Sequence, residues 1–544
     1  MGRQTIDSMV SALPTLPALL EHIGHPRQRK ELSLLRLALV FIAGGAHALS
    51  IAWPFSWGLA QGQTVWGLQL LALGMLVWQL DRCTGWKQGL VLGWSFASAW
   101  LCGIFWWLFV SLHVYGGLAA PLAVLAIVGL AVFLAAYYAA ACAAFVALAP
   151  ATRLRRALVF AALWLLAELA RVEFFTGFPW GEAGYAHLDG LLGDYARWVG
   201  VHGITFLAAF VAACFAGLGQ FRRQRLFVPV IVLFFGLSLL AGRPNSTPAG
   251  SLEVTLLQGN IPQDEKFQPG SGLPTALRWY GEQLRDAKTA LVVAPETALP
   301  LLPQQLPEGY WSAIQNRFAS GQQAALIGMP MGSYTEGYAN AVVGLRPASS
   351  SAAAASAPAP LYRFDKHHLV PFGEFVPPGF RWFINLMHIP LGDFKRGALG
   401  QASLDWQGQR LAPNICYEDL FGEELAAAFV DPASAPTILV NVSNIGWFGN
   451  TVAIDQHLAI SRMRTLEFER PMIRATNTGA TVIINHRGQV THELPRLTRG
   501  VLVGEVEGRN GVTPYAWWVS RFGLWPLWLG AAGLVLLAWL GRRR

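Results

Sequence analysis

The chain has 544 residues, of which 53% are hydrophobic and only 13% charged, against about a quarter charged in soluble proteins. That balance excludes a wholly soluble globular protein. The net charge of +8 sits mostly in short clusters beside apolar runs, so it reads as membrane anchoring and excludes a nucleic-acid-binding surface.

Residues 1–32 read as a cytoplasmic N-terminal segment. They lack the compact apolar core and small-residue cleavage site of a signal peptide, so the first span would serve as the targeting signal. Apolar runs near the ~20 residues that cross a bilayer follow at 33–52, 64–81, 88–112, 118–148, 156–172, 201–220, 225–241 and 521–540. The run at 118–148 is long for one crossing, which predicts tilt or a kink, and 156–172 is short. Basic clusters test the count. Arg27, Arg29 and Lys30, then Arg82 and Lys87, then Arg153, Arg155 and Arg156, then Arg222, Arg223 and Arg225, and last Arg542, Arg543 and Arg544 flank the spans. All fall on one face with eight spans and both termini cytoplasmic, whereas seven spans break the alternation. The expected architecture is therefore seven transmembrane helices within 33–241, an exported domain over 251–510 and a C-terminal helix at 521–540. In a bacterium this is a multi-pass inner-membrane protein with its soluble domain in the periplasm.

In the exported domain, SLEVTLLQGNIPQ opens with a strand over 252–258. ALVVAPETALP holds a buried strand at 290–294, flanked by helices at 274–288 and 307–320. AALIGMPM is a further strand, and YANAVVGL and APLYRFDK form a strand pair joined by the low-complexity loop PASSSAAAASAPAP. RLAPNICYE, TILVNVSN and TVIINHRGQ supply more strands, and FGEELAAAFV and QHLAISRMRTLEFER supply helices. Strands alternating with helices indicate an α/β layered fold.

Glu296, Lys366 and Cys416 each stand where a strand leaves the sheet, the place where active-site residues collect. Cys416 is the only cysteine of the exported domain, so it has no disulfide partner there, and a lone thiol in an oxidising compartment implies either burial or a chemical role. Together the three have a chemical logic. The carboxylate takes the thiol proton, and the ammonium lowers the thiol pKa and stabilises an oxyanion.

PET at 295–297, DKHHLVPFGEF at 365–375 and NICYE at 414–418 resemble the Glu-Lys-Cys pattern of the nitrilase, or carbon–nitrogen hydrolase, superfamily. With the surrounding spans and FTGFPW, SNIGWFG and TPYAWW, nearly the whole chain resembles the apolipoprotein N-acyltransferase family, the membrane-embedded branch of that superfamily. The resemblance implies about eight transmembrane helices plus a nitrilase-like αββα sandwich. It implies transfer of an acyl chain from the sn-1 position of phosphatidylethanolamine to the cysteine as a thioester. The chain would pass from there to the α-amino group of a diacylglyceryl apolipoprotein, with no metal or dissociable cofactor. Carried over, Cys416 matches the nucleophile, Glu296 the general base, and Lys366 the third triad member and oxyanion donor beside the Tyr417 backbone N–H. Glu374, Tyr417 and Glu418 match supporting positions, and Trp447 and Trp180 match aromatic positions linked to substrate handling. Ile445-Gly446 and the long alanine- and serine-rich insertion depart from the family pattern without touching the triad. Nothing in the sequence demands more than a monomer.

Each residue has a plainer reading. Cys416 alone fits core filler, Glu296 a helix cap, Lys366 a surface lysine and Glu374 an ion-pair partner. Glu418 fits equally a partner of Arg462 or Arg464, and the two Trp fit interfacial anchors. His367 and His368 invite a metal reading, but adjacent strand residues point apart and no carboxylate completes a site. FVPPGFRWFINLMHIPLGDF, at 375–394, is too apolar for a solvated loop and reads as a lid that dips into the bilayer. Two other functions fit less of the chain. A membrane-anchored amidase or nitrilase leaves the spans and the lid unexplained. A transporter with an appended domain has only Glu168 and Glu173 as an intramembrane polar path.

Overall fold

The structure is a computed structural model that describes residues 32–542 apart from 149, 151, 217–243, 334, 348–360, 385 and 387–392. The expected span at 225–241, most of the N-terminal segment and nearly all of the low-complexity loop lie outside the described residues. The other seven expected spans fall on helices: α1 (Leu34–Ile51), α2 (Trp66–Leu80), α3 (Trp86–Phe105), α4 (Ala120–Leu148), α5 (Arg153–Glu173), α6 (Ala196–Ala216) and, at the far end of the chain, α11 (Trp525–Arg542). Among the described residues, α1, α3, α4, α11 and the 193–216 stretch that contains α6 are long and apolar enough to cross a membrane, while α2 is apolar but shorter.

Local chemistry sets the helix ends. The Ser33 and Thr152 hydroxyls accept the backbone N–H groups of Arg36 and Arg155, capping α1 and α5. The run at 118–148 is one continuous helix of 29 residues, and the run at 88–112 breaks after Phe105 into a π-helical turn, Val110–Tyr115. α3 and α4 approach closely because Gly89 has no side chain; a Cβ there would lie 2.8 Å from the Cys142 carbonyl oxygen.

The second half is two six-stranded sheets. One runs β12 (Gly500–Asn510), β1 (Thr247–Gln258), β2 (Leu291–Ala294), β3 (Ala324–Ser333), β4 (Gly337–Leu345), β5 (Tyr362–Asp365). The other runs β11 (Val490–Glu493), β10 (Val482–Ile484), β9 (Met472–Thr476), β8 (Ile438–Ser443), β7 (Gln409–Ile415), β6 (Leu404–Trp406). In each, three central strands are parallel and antiparallel strands close the edges. Of the central strands, β2 (LVVA) is an unbroken buried apolar run, as a strand covered on both faces is expected to be, while β8 and β9 are buried throughout but carry Asn441, Ser443, Arg474 and Thr476. Leu252, Val254, Val293 and Leu326 of one sheet meet Ile415, Val440, Val442 and Ile473 of the other. Helices α7 (Gly272–Asp286) and α8 (Tyr310–Ala319) cover the outside of the first sheet through Tyr280, Leu284 and Phe318.

The outer layer of the second sheet is shared with the membrane helices. α9 (Ala453–Phe468), α10 (Pro514–Phe522) and the α5 residues Leu165, Leu169 and Val172 bury one apolar cluster with Leu439, Met472 and Ile484. Leu101, Ile104 and Trp164 of the N-terminal helices α3 and α5 share another with Tyr417, Leu420, Phe421 and Ile454. FGEELAAAFV, expected as one helix, is a short helical turn, Gly422–Leu425, followed by a 3-10 turn, Ala426–Phe429.

Candidate active site

Three strand ends converge. β2 ends at Ala294 and the chain turns through Pro295-Glu296-Thr297, with Thr297 at φ 49°. Gly328 of β3 lies against that turn, where a Cβ would stand 2.3 Å from the Pro295 oxygen. β5 delivers Lys366, whose backbone N–H donates to the Asn340 carbonyl of β4 at 2.8 Å. β7 ends at Ile415, and Cys416 follows at φ 53°, a left-handed conformation that non-glycine residues adopt only when their surroundings impose it.

The Lys366 ammonium lies 2.9 Å from Glu374 Oε1 and 3.3 Å from Glu296 Oε1. The Asn340 amide donates to Glu296 Oε1 at 2.7 Å and to Glu374 Oε1 at 2.9 Å. Glu296 Oε2 accepts the Asn444 N–H at 2.8 Å, and Glu374 Oε2 accepts the Val370 N–H at 2.8 Å. The Cys416 sulfur is 3.3 Å from the Ser443 hydroxyl and feels the charges of Glu296 and Lys366. A second buried lysine, Lys266, donates to the Glu296 carbonyl at 3.1 Å and to the Thr297 hydroxyl.

The resting protonation states follow. Burial pushes the Cys416 thiol up to about 12 and the Glu296 charge adds to this, outweighing the pull of Lys366. Lys366 does lower the thiol pKa, as the sequence reading has it, but burial and the adjacent carboxylate outweigh it. Burial works against ionising Glu296, but Lys366, Asn340, Lys266 and the Asn444 N–H hold it below its ordinary value. Burial also opposes the Lys366 charge, yet Glu374 and Glu296 raise its pKa well above the lysine range. Burial lowers Lys266 to about 8. The site therefore rests as neutral thiol, carboxylate and ammonium, a set whose carboxylate can serve as base to the thiol.

Glu418 pairs with neither Arg462 nor Arg464. Its two oxygens accept the backbone N–H groups of Ile415 at 2.6 Å, His367 at 2.6 Å and His368 at 3.2 Å, tying the end of β7 to the loop after Lys366. Burial raises it to about 7 against those three donors. Arg464 pairs with Glu467 at 3.0 Å, and Arg462 with Asp189. The rings of His367 and His368 diverge, one to the Gly397 carbonyl and the other to Glu424. Tyr417 is buried, with its hydroxyl 3.4 Å from the Gly177 carbonyl. Trp180 is also buried and donates to Gln456 Oε1 at 2.7 Å, an oxygen that also accepts Trp107 at 2.9 Å. Trp447 is half-buried, edge-on to Tyr115 at 5.8 Å. Glu168 Oε1 accepts the Ala183 N–H at 2.9 Å and the Thr205 hydroxyl at 3.1 Å, its Oε2 is buried without a hydrogen-bond partner among the described residues, and Glu173 accepts the Trp528 indole at 3.2 Å.

Sequence reasoning missed Asn340, Lys266, Ser443 and Asn444. Lys266 had a usable signal, a lysine shortly after the β1 exit in QGNIPQDEKF; Asn340 is a polar residue inside an apolar strand, YANAVVGL.

The chain resembles known proteins along most of its length. Residues 34–214 match the family model described as apolipoprotein N-acyltransferase N-terminal domain, and residues 253–515 match the model for carbon-nitrogen hydrolase. An apolipoprotein N-acyltransferase of Verminephrobacter eiseniae is 56% identical over 516 residues, covering 90% of this chain and 93% of that one. Another, of Ralstonia nicotianae, is 41% identical over 94% of this chain and 95% of its own. Among solved structures, a carbon-nitrogen hydrolase from Helicobacter pylori G27 aligns with 51% of this chain and 94% of its own, at 16% identity and a TM-score of 0.33.

Proposed function

The chain belongs to the apolipoprotein N-acyltransferase family, and from that premise we propose that it transfers a fatty acyl chain from the sn-1 position of phosphatidylethanolamine to the N-terminal amino group of diacylglyceryl apolipoproteins, through a thioester on Cys416. One observation carries the reading. Tyr417, Leu420 and Phe421, just beyond the nucleophile, share a hydrophobic core with the membrane helices, so the thiol is docked where lipid chains already lie. Extracting such a chain into water would cost about 0.8 kcal/mol per CH₂. A small-amide hydrolase would have no use for this docking.

In the first half-reaction Glu296 takes the thiol proton as the sulfur attacks the ester carbonyl. Lys366 and the Tyr417 N–H stabilise the oxyanion, and Glu296 returns the proton to the departing lysophospholipid hydroxyl. In the second, the lipoprotein amine attacks the thioester, Glu296 removes a proton from the amine, and the thiol is restored. Glu374 fixes Lys366, and Glu418 fixes the spacing between the Lys366 loop and Cys416. Trp447 lines the substrate path at its half-exposed position, and Trp180 packs on the adjacent Phe448. The apolar segment expected as a lid lies outside the described residues at 385 and 387–392; of its described part, Phe383 and Ile384 pack against Leu118 and Ala123, which supports a lid role.

We place residues 251–510 in the periplasm, with eight spans and both termini in the cytoplasm of an inner-membrane protein working as a monomer. The contacts support this sidedness. Asp81 pairs with Arg153 and Arg156 and Arg542 donates to the Ala147 carbonyl, gathering the basic ends on one face. Gln456 and Asp455 meet Trp107 and Gly62 at the other.

The test is intact-protein mass spectrometry after incubation with phosphatidylethanolamine in detergent, without acceptor. An acyl adduct that requires Cys416, is absent in Cys416→Ala and is released by hydroxylamine is the expected result. Folded protein that forms no adduct, and instead frees ammonia from small amides, overturns the reading.

A further inference from the structure

Behind the nucleophile lies a buried group that the two half-reactions above do not use: Asp419, His457, Ser461 and Arg474, all 1% exposed or less. Arg474 Nη2 lies 2.8 Å from His457 Nδ1. A guanidinium has hydrogens only to give, so Nδ1 must be the acceptor and the ring proton must sit on Nε2. That Nε2 is 2.8 Å from Asp419 Oδ1 and 3.2 Å from the carbonyl oxygen of Cys416. Asp419 Oδ2 is held by the Ser461 hydroxyl at 2.5 Å and by Arg474 at 3.5 Å. His457 is thus a neutral imidazole of one tautomer, aimed by three neighbours, that gives its proton jointly to a carboxylate and to the nucleophile's own backbone. Burial, and then the Arg474 charge, keep the imidazole from protonating, with Asp419 pulling the other way.

The Cys416 carbonyl has a second donor, the Asn441 side-chain amide at 3.3 Å. The consequence lies on the other side of the same peptide unit. In a planar trans peptide the C=O of one residue and the N–H of the next point in opposite directions. Two donors that pin the Cys416 oxygen therefore fix the direction of the Tyr417 N–H. They also hold Cys416 at φ 53°, a conformation that persists only when surrounding contacts over-determine it.

We infer that His457, oriented by Asp419 and Arg474, is a positioning residue that aims the Tyr417 N–H at the developing oxyanion by anchoring the Cys416 carbonyl. This rests on the acyl-transfer reading above, in which that N–H is an oxyanion donor. The histidine exchanges no proton with substrate and makes no contact with the sulfur. It resembles a catalytic histidine in its buried carboxylate partner but acts on the backbone.

The test separates oxyanion formation from thiol reactivity. Acylation of Cys416 by phosphatidylethanolamine passes through a tetrahedral oxyanion; alkylation by iodoacetamide is a direct displacement that forms none. Both rates are followed by intact-protein mass spectrometry on the full chain in detergent, for wild type, His457→Phe and the near-isosteric Asp419→Asn, which keeps the shape of the network if the larger change unfolds it. The expected result is an acylation rate lowered about a hundredfold in His457→Phe, the scale of losing one oxyanion donor, and less in Asp419→Asn, with alkylation within about twofold of wild type. Acylation and alkylation falling by the same factor in both variants marks a merely structural role and overturns the inference, as does acylation that does not fall. Wild-type protein that alkylates yet never acylates removes the underlying reading, and the inference with it.

Discussion

At the scale of single residues, the protonation pattern decides how the thiol works. A thiol raised to about 12 is not a stored thiolate, so in the proposed mechanism the nucleophile is made at the moment of attack, with Glu296 as its base. Because Glu296 is held below its ordinary value, it stays ionised down to the acid side of the usual glutamate value of about 4.3. Replacing it with Gln should have two opposite effects. Acyl transfer at neutral pH should be lost for want of a base, while the midpoint of thiol ionisation, followed by the pH dependence of iodoacetamide alkylation, should move down, because a negative neighbour has gone. A midpoint that stays put or rises would show that the carboxylate does not act on the sulfur. The convergence of positions 296, 366 and 416 was legible in the sequence because each follows a short strand inside a recognisable motif. The sign of the Cys416 shift was not, since it depends on how deeply 416 is enclosed. Nor was the environment of Glu418, whose partners are the backbone groups of 367, 368 and 415 rather than any side chain that a pattern could nominate.

At the scale of elements, the site is a problem of holding strand ends in register. Most of the strands and long helices were legible from apolar runs and their punctuation: β1, β2, β3, β7, β8 and α9 stand close to where the sequence put them. The short edge strands β6 and β11 were not, because three or four residues are too few to carry a periodicity. β9 escaped notice because its run, MIRAT, carries an arginine that only the tertiary contacts explain. Glu418 is the clip between two of these ends, and both its oxygens accept. A Gln there must present an NH₂ to one of the N–H donors it now satisfies. Glu418→Gln should therefore destabilise the fold by about 1–3 kcal/mol, the cost of a buried donor left unpaired, read as a lowered melting temperature in detergent. An unchanged melting temperature would mean the clip carries no load.

At the scale of the whole molecule, the two halves are one body in their packing. Apolar residues beside Cys416 bury themselves against α3 and α5, and Arg197 reaches Glu469 at 2.8 Å while the Val201 N–H reaches Glu467 at 2.7 Å. Residues 244–512 expressed alone should expose Tyr417, Leu420, Phe421, Ile445 and Ile454 together, a patch that soluble monomers rarely carry. The isolated piece is expected to aggregate or lose Cys416 acylation, as size-exclusion chromatography and mass spectrometry would show; a monodisperse, reactive fragment would refute the structural unity of the two halves. The sequence revealed two regions of different composition. It could not reveal that the layer covering the second sheet is drawn partly from the membrane half, because that contact joins residues hundreds of positions apart.

The buried set of Glu296, Glu374, Lys366 and Lys266 has a consequence for the direction of the reaction. The thiol and the thioester proposed to replace it are both uncharged, so acylating the sulfur would add no charge to that set. No electrostatic ratchet separates the loaded from the unloaded protein, and the first half-reaction should run backwards as readily as the donor alcohol allows. Isotopically labelled lysophosphatidylethanolamine added to the preloaded, donor-free protein should strip the acyl adduct and emerge as labelled diacyl phospholipid. In the membrane, commitment would then come from the lipoprotein amine, whose amide is the one bond in the sequence that the site cannot easily undo.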